Sequence, residues 1–185
     1  MSDTMKSQRQ MVLVAVGPDA PGRVKQVSSI IHEAGGNLED SRMAMLAGEF
    51  ALIVLFSGDE PTIEQVRRRK DELERELDYI ITLKETSRAT PRRDCLGYSL
   101  RVGGVDQTGI VVAVSQALAS LEINVVSLES RVVPAAFSGT PMFNLSAELQ
   151  IPGRALLGKL QSSLDGICDE RNLSYSLEPS DLPRG

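Results

Sequence analysis

The spacing of hydrophobic and polar positions changes period several times along the chain, and it does so in the same order twice. Met11 to Val16 is a short apolar run of strand length. Pro21 stands where a helix can begin, with Asp19 or Ala20 near its cap, and Val24, Val27, Ile31 and Ala34 recur at helical spacing. Gly35-Gly36 stops that helix. Leu38 to Leu46 reads as a second strand, Ala47-Gly48-Glu49 as a hairpin turn, and Phe50 to Ser57 as a third strand. Asp59-Glu60-Pro61 opens a helix carrying Ile63, Val66, Leu73 and Leu77, and Tyr79 to Thr86 is the fourth strand.

The second half follows the same course. Leu96, Tyr98, Leu100 and Val102 alternate along a strand, Thr108 to Leu121 is a helix, and Asn124 to Val133 a strand. A loop rich in Pro, Ala and Gly, Pro134 to Thr140, precedes a strand over Met142 to Ile151. Arg154 to Arg171 is a helix with Leu157, Leu160, Leu164 and Ile167, and Leu173 to Leu177 is the last strand. The order is βαββαβ twice. It predicts an α+β chain of two ferredoxin-like modules, with antiparallel sheets and helices on one face. The modules span residues 11–87 and 95–178. The linker is 88–94, with Pro91 and three arginines, Arg88, Arg92 and Arg93; tails occupy 1–10 and 179–185.

The duplication is visible residue by residue, and a repeat of this kind outweighs any local signal. Gly17, Asp19, Gly22 and Val24 recur 87 positions on as Gly104, Asp106, Gly109 and Val111, and Asn37 recurs at the same interval as Asn124. Asp40-Ser41-Arg42 is echoed by Glu129-Ser130-Arg131 two positions further along. That slip implies an insertion early in the second strand of the second module.

Composition narrows what such modules can do. The chain has 185 residues, a net charge of −5, 42% hydrophobic residues, 4% aromatics and no Trp. The core must therefore be aliphatic, and the acidic balance argues against sequence-independent nucleic-acid binding, which needs a basic surface. Cys95 and Cys168 match no redox or metal-ligand spacing and read as free thiols in a reducing compartment. No secretory or membrane-spanning run is present, so a soluble cytoplasmic protein is expected, with no membrane partner.

The fold hosts many functions, so the site must decide. An RNA-binding version needs stacking aromatics on the central strands, and Val12 to Val16 with Leu96 to Val102 supply only Tyr98. A metal-carrying version needs paired cysteines in the first loop, which has none. Arg23 lies past that loop, a weak basis for a phosphate cradle. His32 is the only histidine, and no motif places a nucleophile near it. The run Arg67-Arg68-Arg69-Lys70 is surrounded by Glu64, Glu72, Glu74 and Glu76, with Glu64–Arg68 and Lys70–Glu74 as i,i+4 pairs, so it reads as a solvated helix face. The linker arginines could touch an acidic partner, but a plain flexible linker is the preferred reading. The expectation is a protein that is not an enzyme and carries no cofactor or metal.

The first loop of each module remains. Asp19 and Asp106 precede helix N-termini, where free N–H groups point outward. Gly22 and Gly109 remove side chains and allow a ligand or another backbone to approach. Asn37 and Asn124 open the second strands, at the far end of the first helix, so within one module they need not touch the loops, and they can meet them across an interface between copies. Helix-end amides and the Asn amides can hold a carboxylate; Asp and backbone carbonyls can hold an ammonium. The plain alternative is that these are caps and helix exits, duplicated with the fold.

Gly-Pro-Asp-Ala-Pro-Gly-Arg-Val at 17–24 and Gly-Gly-Asn-Leu-Glu-Asp-Ser-Arg-Met-Ala-Met-Leu at 35–46 resemble the first ACT domain of the glycine cleavage system transcriptional repressor family. Asp-Gln-Thr-Gly at 106–109, Glu-Ser-Arg at 129–131 and Gly-Thr-Pro-Met-Phe at 139–143 resemble its second ACT domain. The resemblance implies edge-to-edge pairing of sheets with a small amino acid at the interface. It places the ligand loops at Asp19, Ala20, Pro21 and Gly22 and at Asp106, Gln107, Thr108 and Gly109, with Asn37 and Asn124 as partners. It also implies control of a transcription regulator by protein contact, with glycine relieving that contact. ACT sites that bind serine often carry an amide where this chain has Asp19 and Asp106, which leaves the ligand's identity open. A ligand-free interaction module and an accessory subunit of an amino-acid or one-carbon enzyme are the alternatives.

The modules also differ. The second module's first strand alternates its apolar residues with Gly97, Ser99 and Arg101, so one sheet face is wet, whereas Met11 to Val16 and Phe50 to Phe56 are apolar on both faces. The open face of the first module is therefore expected to pack on another chain or on the other module, and a homo-oligomer, dimer first, is expected.

Overall fold

The computed structural model describes residues 8–87 and 95–181. The linker with its arginines, and residues 1–7 and 182–185 of the tails, lie outside the described residues. The chain divides between residues 89 and 90 into two compact units.

In unit one the elements are β1 (Arg9–Pro18), α1 (Arg23–Glu33), β2 (Asn37–Leu46), β3 (Glu49–Gly58), α2 (Glu60–Leu77) and β4 (Ile80–Thr86). In unit two they are β5 (Leu96–Val105), α3 (Ile110–Ser120), β6 (Asn124–Pro134), β7 (Pro141–Ile151), α4 (Ala155–Arg171) and β8 (Leu173–Pro179). The sheets run β2-β3-β1-β4 and β6-β7-β5-β8, with every pair antiparallel. This is the ferredoxin-like βαββαβ arrangement, present twice.

Each core lies between one sheet face and two helices. Met11, Leu13 and Ala15 of β1 and Leu52, Val54 and Phe56 of β3 meet Val27, Ile30 and Ile31 of α1 and Ile63, Val66 and Leu73 of α2. Unit two repeats this with Leu100 and Val102 of β5, Leu145, Ala147 and Leu149 of β7, and Val114, Leu118, Leu160 and Leu164 of its helices. Helix starts are handled differently. Asp59 caps α2 by accepting from the Thr62 N–H at 3.1 Å, with Pro61 in the first turn. Neither Asp19 nor Ala20 caps α1: its N-cap is Gly22, at φ 91°, with no side-chain bond. Gly109 does the same for α3 at φ 86°, so that helix begins at Ile110 and not at Thr108. Only glycine enters this left-handed region without steric cost, which explains the recurrence of this residue.

Several sequence expectations need correction. Val24 is 46% exposed, and Ile30 takes its place in the core. In α4 the buried position beside Leu164 is Cys168, not Ile167. The β2–β3 turn has two residues, Ala47 and Gly48, both at positive φ (52° and 86°), as a tight hairpin whose twist matches its strands requires; Glu49 already belongs to β3. No insertion lies early in β6. Both edge strands carry one bulge, at Glu39 and at Val126, which are 87 positions apart, and the register then continues in step. Structurally Arg42 therefore matches Glu129, and the Glu-Ser-Arg echo is a coincidence of composition. The insertion lies in the hairpin. Leu46 and Glu49 close on two residues, whereas the equivalent pair Val133 and Met142 closes on eight, six more.

The open faces confirm the asymmetry. In unit one the two central strands present Val12, Val14, Val16, Ala51, Ile53 and Leu55, with Ile80 beside them on β4. The same places in unit two hold Ser99, Arg101, Gly103, Asn144, Ser146 and Glu148, with Ser174 on β8.

Candidate functional site

The loop after β1 is built by packing. Gly17 ends the buried part of β1 because Tyr79 lies against it: a Cβ there would sit 2.2 Å from Tyr79 Cδ1. The Tyr79 ring stacks on Phe50 at 5.9 Å, and its hydroxyl donates to the Pro18 carbonyl at 3.2 Å. The chain then turns through Asp19, Ala20, Pro21 and Gly22, and the Asp19 N–H donates to the Gly48 carbonyl of the hairpin at 3.0 Å. Asp19, Pro21 and Gly22 are exposed, and Ala20 is half-buried.

Arg23 closes the group. Its guanidinium stands over the Tyr79 ring, 5.2 Å from the centroid, and donates to Gln26 Oε1 at 3.2 Å. Its Nε is buried with no acceptor. Burial holds the Tyr79 hydroxyl above the usual phenol range; Arg23 opposes that shift, while Asp19 and Glu49 reinforce it. The loop thus presents an aspartate and, over the Tyr79 ring, an arginine, and no ion pair joins the two among the described residues.

The second loop reaches a similar composition by another route. Gly104 packs on Leu173, where a Cβ would come within 2.5 Å of its Cδ2. The Asp106 N–H donates to the Pro141 carbonyl at 2.9 Å. Gln107 Nε2 donates to the Arg171 carbonyl at 2.7 Å, and Arg171 Nη1 donates to the Thr108 carbonyl at 3.2 Å. Gln107 therefore ties off the end of α4. Arg171 Nε is buried without an acceptor, as Arg23 Nε is, and Nη1 lies 3.8 Å from where a Gly109 Cβ would be. Asp106, Gln107, Thr108 and Gly109 are all exposed.

These two arginines were not assigned a role from sequence. Arg23 directly follows its loop and could have been weighed with Asp19. Arg171 comes from the last turn of α4, 62 positions after Gly109, and nothing in the repeat signals it.

Asn37 and Asn124 lie elsewhere. Asn37 pairs with Ser57, which pairs with Gln10 at the start of β1. Asp19 follows the other end of that strand, about 30 Å away along an extended chain. Asn37 is exposed and borders a shallow depression of about 610 Å³ with Gln10, Glu39 and Ser57. Asn124 Nδ2 donates to Gln150 Oε1 at 3.0 Å, beside a depression of about 540 Å³ lined by Glu122 and Pro152. Each unit therefore keeps its loop and its asparagine apart.

Other features carry less. His32 is exposed near the end of α1. Glu64–Arg68 and Lys70–Glu74 are ion pairs at 3.5 and 2.8 Å on α2. Cys95 and Cys168 are free thiols. Among the described residues no group of three or more His, Cys, Asp or Glu is placed to hold a metal, and no helix is long and apolar enough to cross a membrane. A shallow depression of about 470 Å³ on the open face of unit two is lined by Arg101, Glu129, Arg131, Asn144 and Ser146.

Comparison with known proteins places this geometry. Residues 9–84 match the ACT domain family. The glycine cleavage system transcriptional repressor of Escherichia coli K12 is 28% identical over 175 residues, 94% of this chain and 92% of that protein. A crystal structure of an unknown protein from Galdieria sulphuraria is 31% identical, with a TM-score of 0.82 over 94% of this chain and 99% of that one. A protein provisionally named a glycine cleavage system transcriptional repressor superposes with a TM-score of 0.69 at 26% identity, over 94% and 98% of the two chains.

Proposed function

We infer, for a chain whose residues 9–84 form an ACT domain and which along most of its length is similar to glycine cleavage system transcriptional repressors, that it is a non-enzymatic regulator sensing a small amino acid. The observation that carries this reading is the presence of one aspartate and one arginine at each first loop. Asp19 with Arg23, and Asp106 with Arg171, offer an acceptor for an ammonium and a donor for a carboxylate. The two units assemble that pair from non-equivalent positions: Ile110 stands where unit one has Arg23, and Leu77 where unit two has Arg171. Inheritance of a cap does not account for that. The arginine also offsets the repulsion that Asp19 or Asp106 alone would exert on the ligand's carboxylate. Glycine is the first candidate, from the name of the relatives.

Edge pairing would complete the site. β2 exposes all ten of its residues, Met43 and Met45 at 59% and 62%, and has one unpaired backbone edge. Exposed edges of this length are normally covered. If β2 pairs antiparallel with β2 of a second copy, the start of one strand faces the end of the other. Asn37 of one copy then lies beside the hairpin whose Gly48 carbonyl holds Asp19 of the other. A homodimer is thus the assembly that brings Asn37 to a loop. Ligand at that junction changes the equilibrium between assemblies only through unequal affinity for them. The output, in this reading, is contact with a transcription regulator of amino-acid or one-carbon metabolism and not direct contact with DNA.

Calorimetric titration of the full chain with each of the twenty amino acids tests the sensing step. Saturable heat with glycine or a close relative, lost in Arg23→Gln or Arg171→Gln, is the expected result. Absence of heat and of thermal shift with all twenty refutes sensing and leaves an interaction module. Recovery of a metabolic enzyme in place of a transcription regulator by affinity capture favours the accessory-subunit alternative.

A further inference from the structure

Phe137 is an aromatic residue outside every core. Of the chain's seven aromatic residues, Phe50, Phe56, Tyr79 and Phe143 are buried, and Tyr98 and Tyr175 pack partly against the core of unit two. Phe137 is 105% exposed, as open as the side chain can be. It sits at the tip of the six-residue enlargement of the β6–β7 hairpin, which has no counterpart in unit one.

The tip has internal order. The Ala135 N–H donates to the Thr140 carbonyl and the Gly139 N–H to the Ala135 carbonyl, both at 2.9 Å. Ser138 Oγ donates to Thr140 Oγ1 at 2.8 Å. A fixed tip loses little entropy when its side chain docks, so the aromatic ring is presented in advance. The approach is also free of charge. From Val132 to Ala147 the sequence holds no Asp, Glu, Lys or Arg, in a chain that is 24% charged. Val132 and Val133 at the hairpin base are 51% and 40% exposed. The acceptor must then be uncharged and apolar.

The chain itself carries such a surface. On the open face of the first sheet, Val14 pairs with Ile53, and Val16 lies between Ala51 and Ile80. Val16, Ile53 and Ile80 are 38%, 48% and 74% exposed, and Ala44 and Ala51 leave room beside them. Phe137 is fully exposed, which leaves its ring uncovered. We propose that the Phe137 tip of one copy docks on the apolar open face of the first sheet of a second copy, reciprocally in a dimer. An aromatic ring buries about 150–250 Å². Two such contacts, each with a matching sheet patch and flanking valines, approach the ~1,000 Å² that a specific interface requires. The inference rests on the dimer proposed above and names a contact that β2 pairing does not involve.

Sedimentation equilibrium of the full chain, with Phe137→Ser and Ile80→Ser beside wild type, tests it. Both positions are exposed, so both variants should keep the wild-type circular dichroism and melting temperature at high dilution. The expected result is a wild-type dimer whose dissociation constant rises about 100-fold in either variant, since each dimer loses two contacts worth about tenfold each. A photo-crosslinking residue at 137 should label a second, isotopically distinguished chain near Val16, Ile53 or Ile80. A dimer of unchanged affinity in both variants overturns this contact and leaves the dimer standing. A monomeric wild type overturns both. Crosslinking of residue 137 only to itself or to β2 of the second copy also overturns the contact.

Discussion

Replacing Gly17 by Ala tests whether the shape of the first loop is set by packing on Tyr79. The added Cβ would stand 2.2 Å from Tyr79 Cδ1, 2.7 Å from Cε1 and 3.0 Å from the Asp78 carbonyl. Carbon atoms in contact normally stay about 3.5–4.0 Å apart, so the ring must move by more than ~1 Å. It has little freedom to do so. Tyr79 is 4% exposed, stacked on Phe50 and bonded to Pro18. Overpacking costs about 1–3 kcal/mol and the strained hydrogen bond about 1 kcal/mol. We expect a loss of about 2–4 kcal/mol, or roughly 8–32 °C in the melting of unit one. Urea unfolding of Gly17→Ala, Tyr79→Ala and the double variant forms a cycle. Tyr79→Ala alone should cost about 3–5 kcal/mol. In that background Gly17→Ala should cost less than ~1 kcal/mol, because only the Asp78 carbonyl remains close. A Gly17→Ala protein as stable as wild type, or an equal cost in both backgrounds, refutes the packing argument. Because Arg23 stands on the same ring, the single variant should also weaken any ligand held at this loop.

Glycines in other settings should respond with opposite signs. Gly109→Ala places a Cβ at φ 86° and should cost unit two about 1–2 kcal/mol, whereas Gly166→Ala in α4, with open space around it, should stabilise by about 0.5–1 kcal/mol; equal effects in chemical denaturation contradict this reading. Glu74 accepts from Lys70 Nζ at 2.8 Å and from the Ile81 N–H at 2.7 Å, and the Lys70 bond foremost holds its carboxyl below the usual range. A carboxyl lowered by folding stabilises the protein above its unfolded value of about 4.5, and that contribution is lost as the pH falls through the lower folded value. Glu74→Gln should therefore be less stable than wild type at pH 7, and the gap should close below pH ~4.5; a gap independent of pH contradicts the assignment.

Period and punctuation made the architecture legible. Alternation along Leu96 to Val102, helical spacing at Val27 and Ile31, and Asp59-Glu60-Pro61 each announced an element that is present. The wet and dry open faces could also be read, because face assignment follows directly from alternation. The reason for the recurring glycines was only half visible. Gly17 and Gly104 meet side chains, Tyr79 and Leu173, that come from after the second helix, so their constraint is a tertiary contact. Arg171 reaches its loop in the same way. The misplaced insertion arose from a short motif. Glu-Ser-Arg can recur by composition, whereas register is decided by cross-strand pairing over the whole strand. Linear spacing also could not bring Asn37 to a loop, because one strand length separates them within a unit.

The central claim is that the two first loops, each with an aspartate and an arginine, hold a small amino acid. Amide chemical-shift mapping of the isotopically labelled full chain during a glycine titration, carried to about ten times a millimolar dissociation constant, addresses it residue by residue. The account predicts saturable shifts at 17–23 or 104–110, or at both, together with the start of β2 or β6, and their loss at the affected loop in Arg23→Gln or Arg171→Gln. Shifts absent throughout, or confined to residues away from both loops, would contradict it.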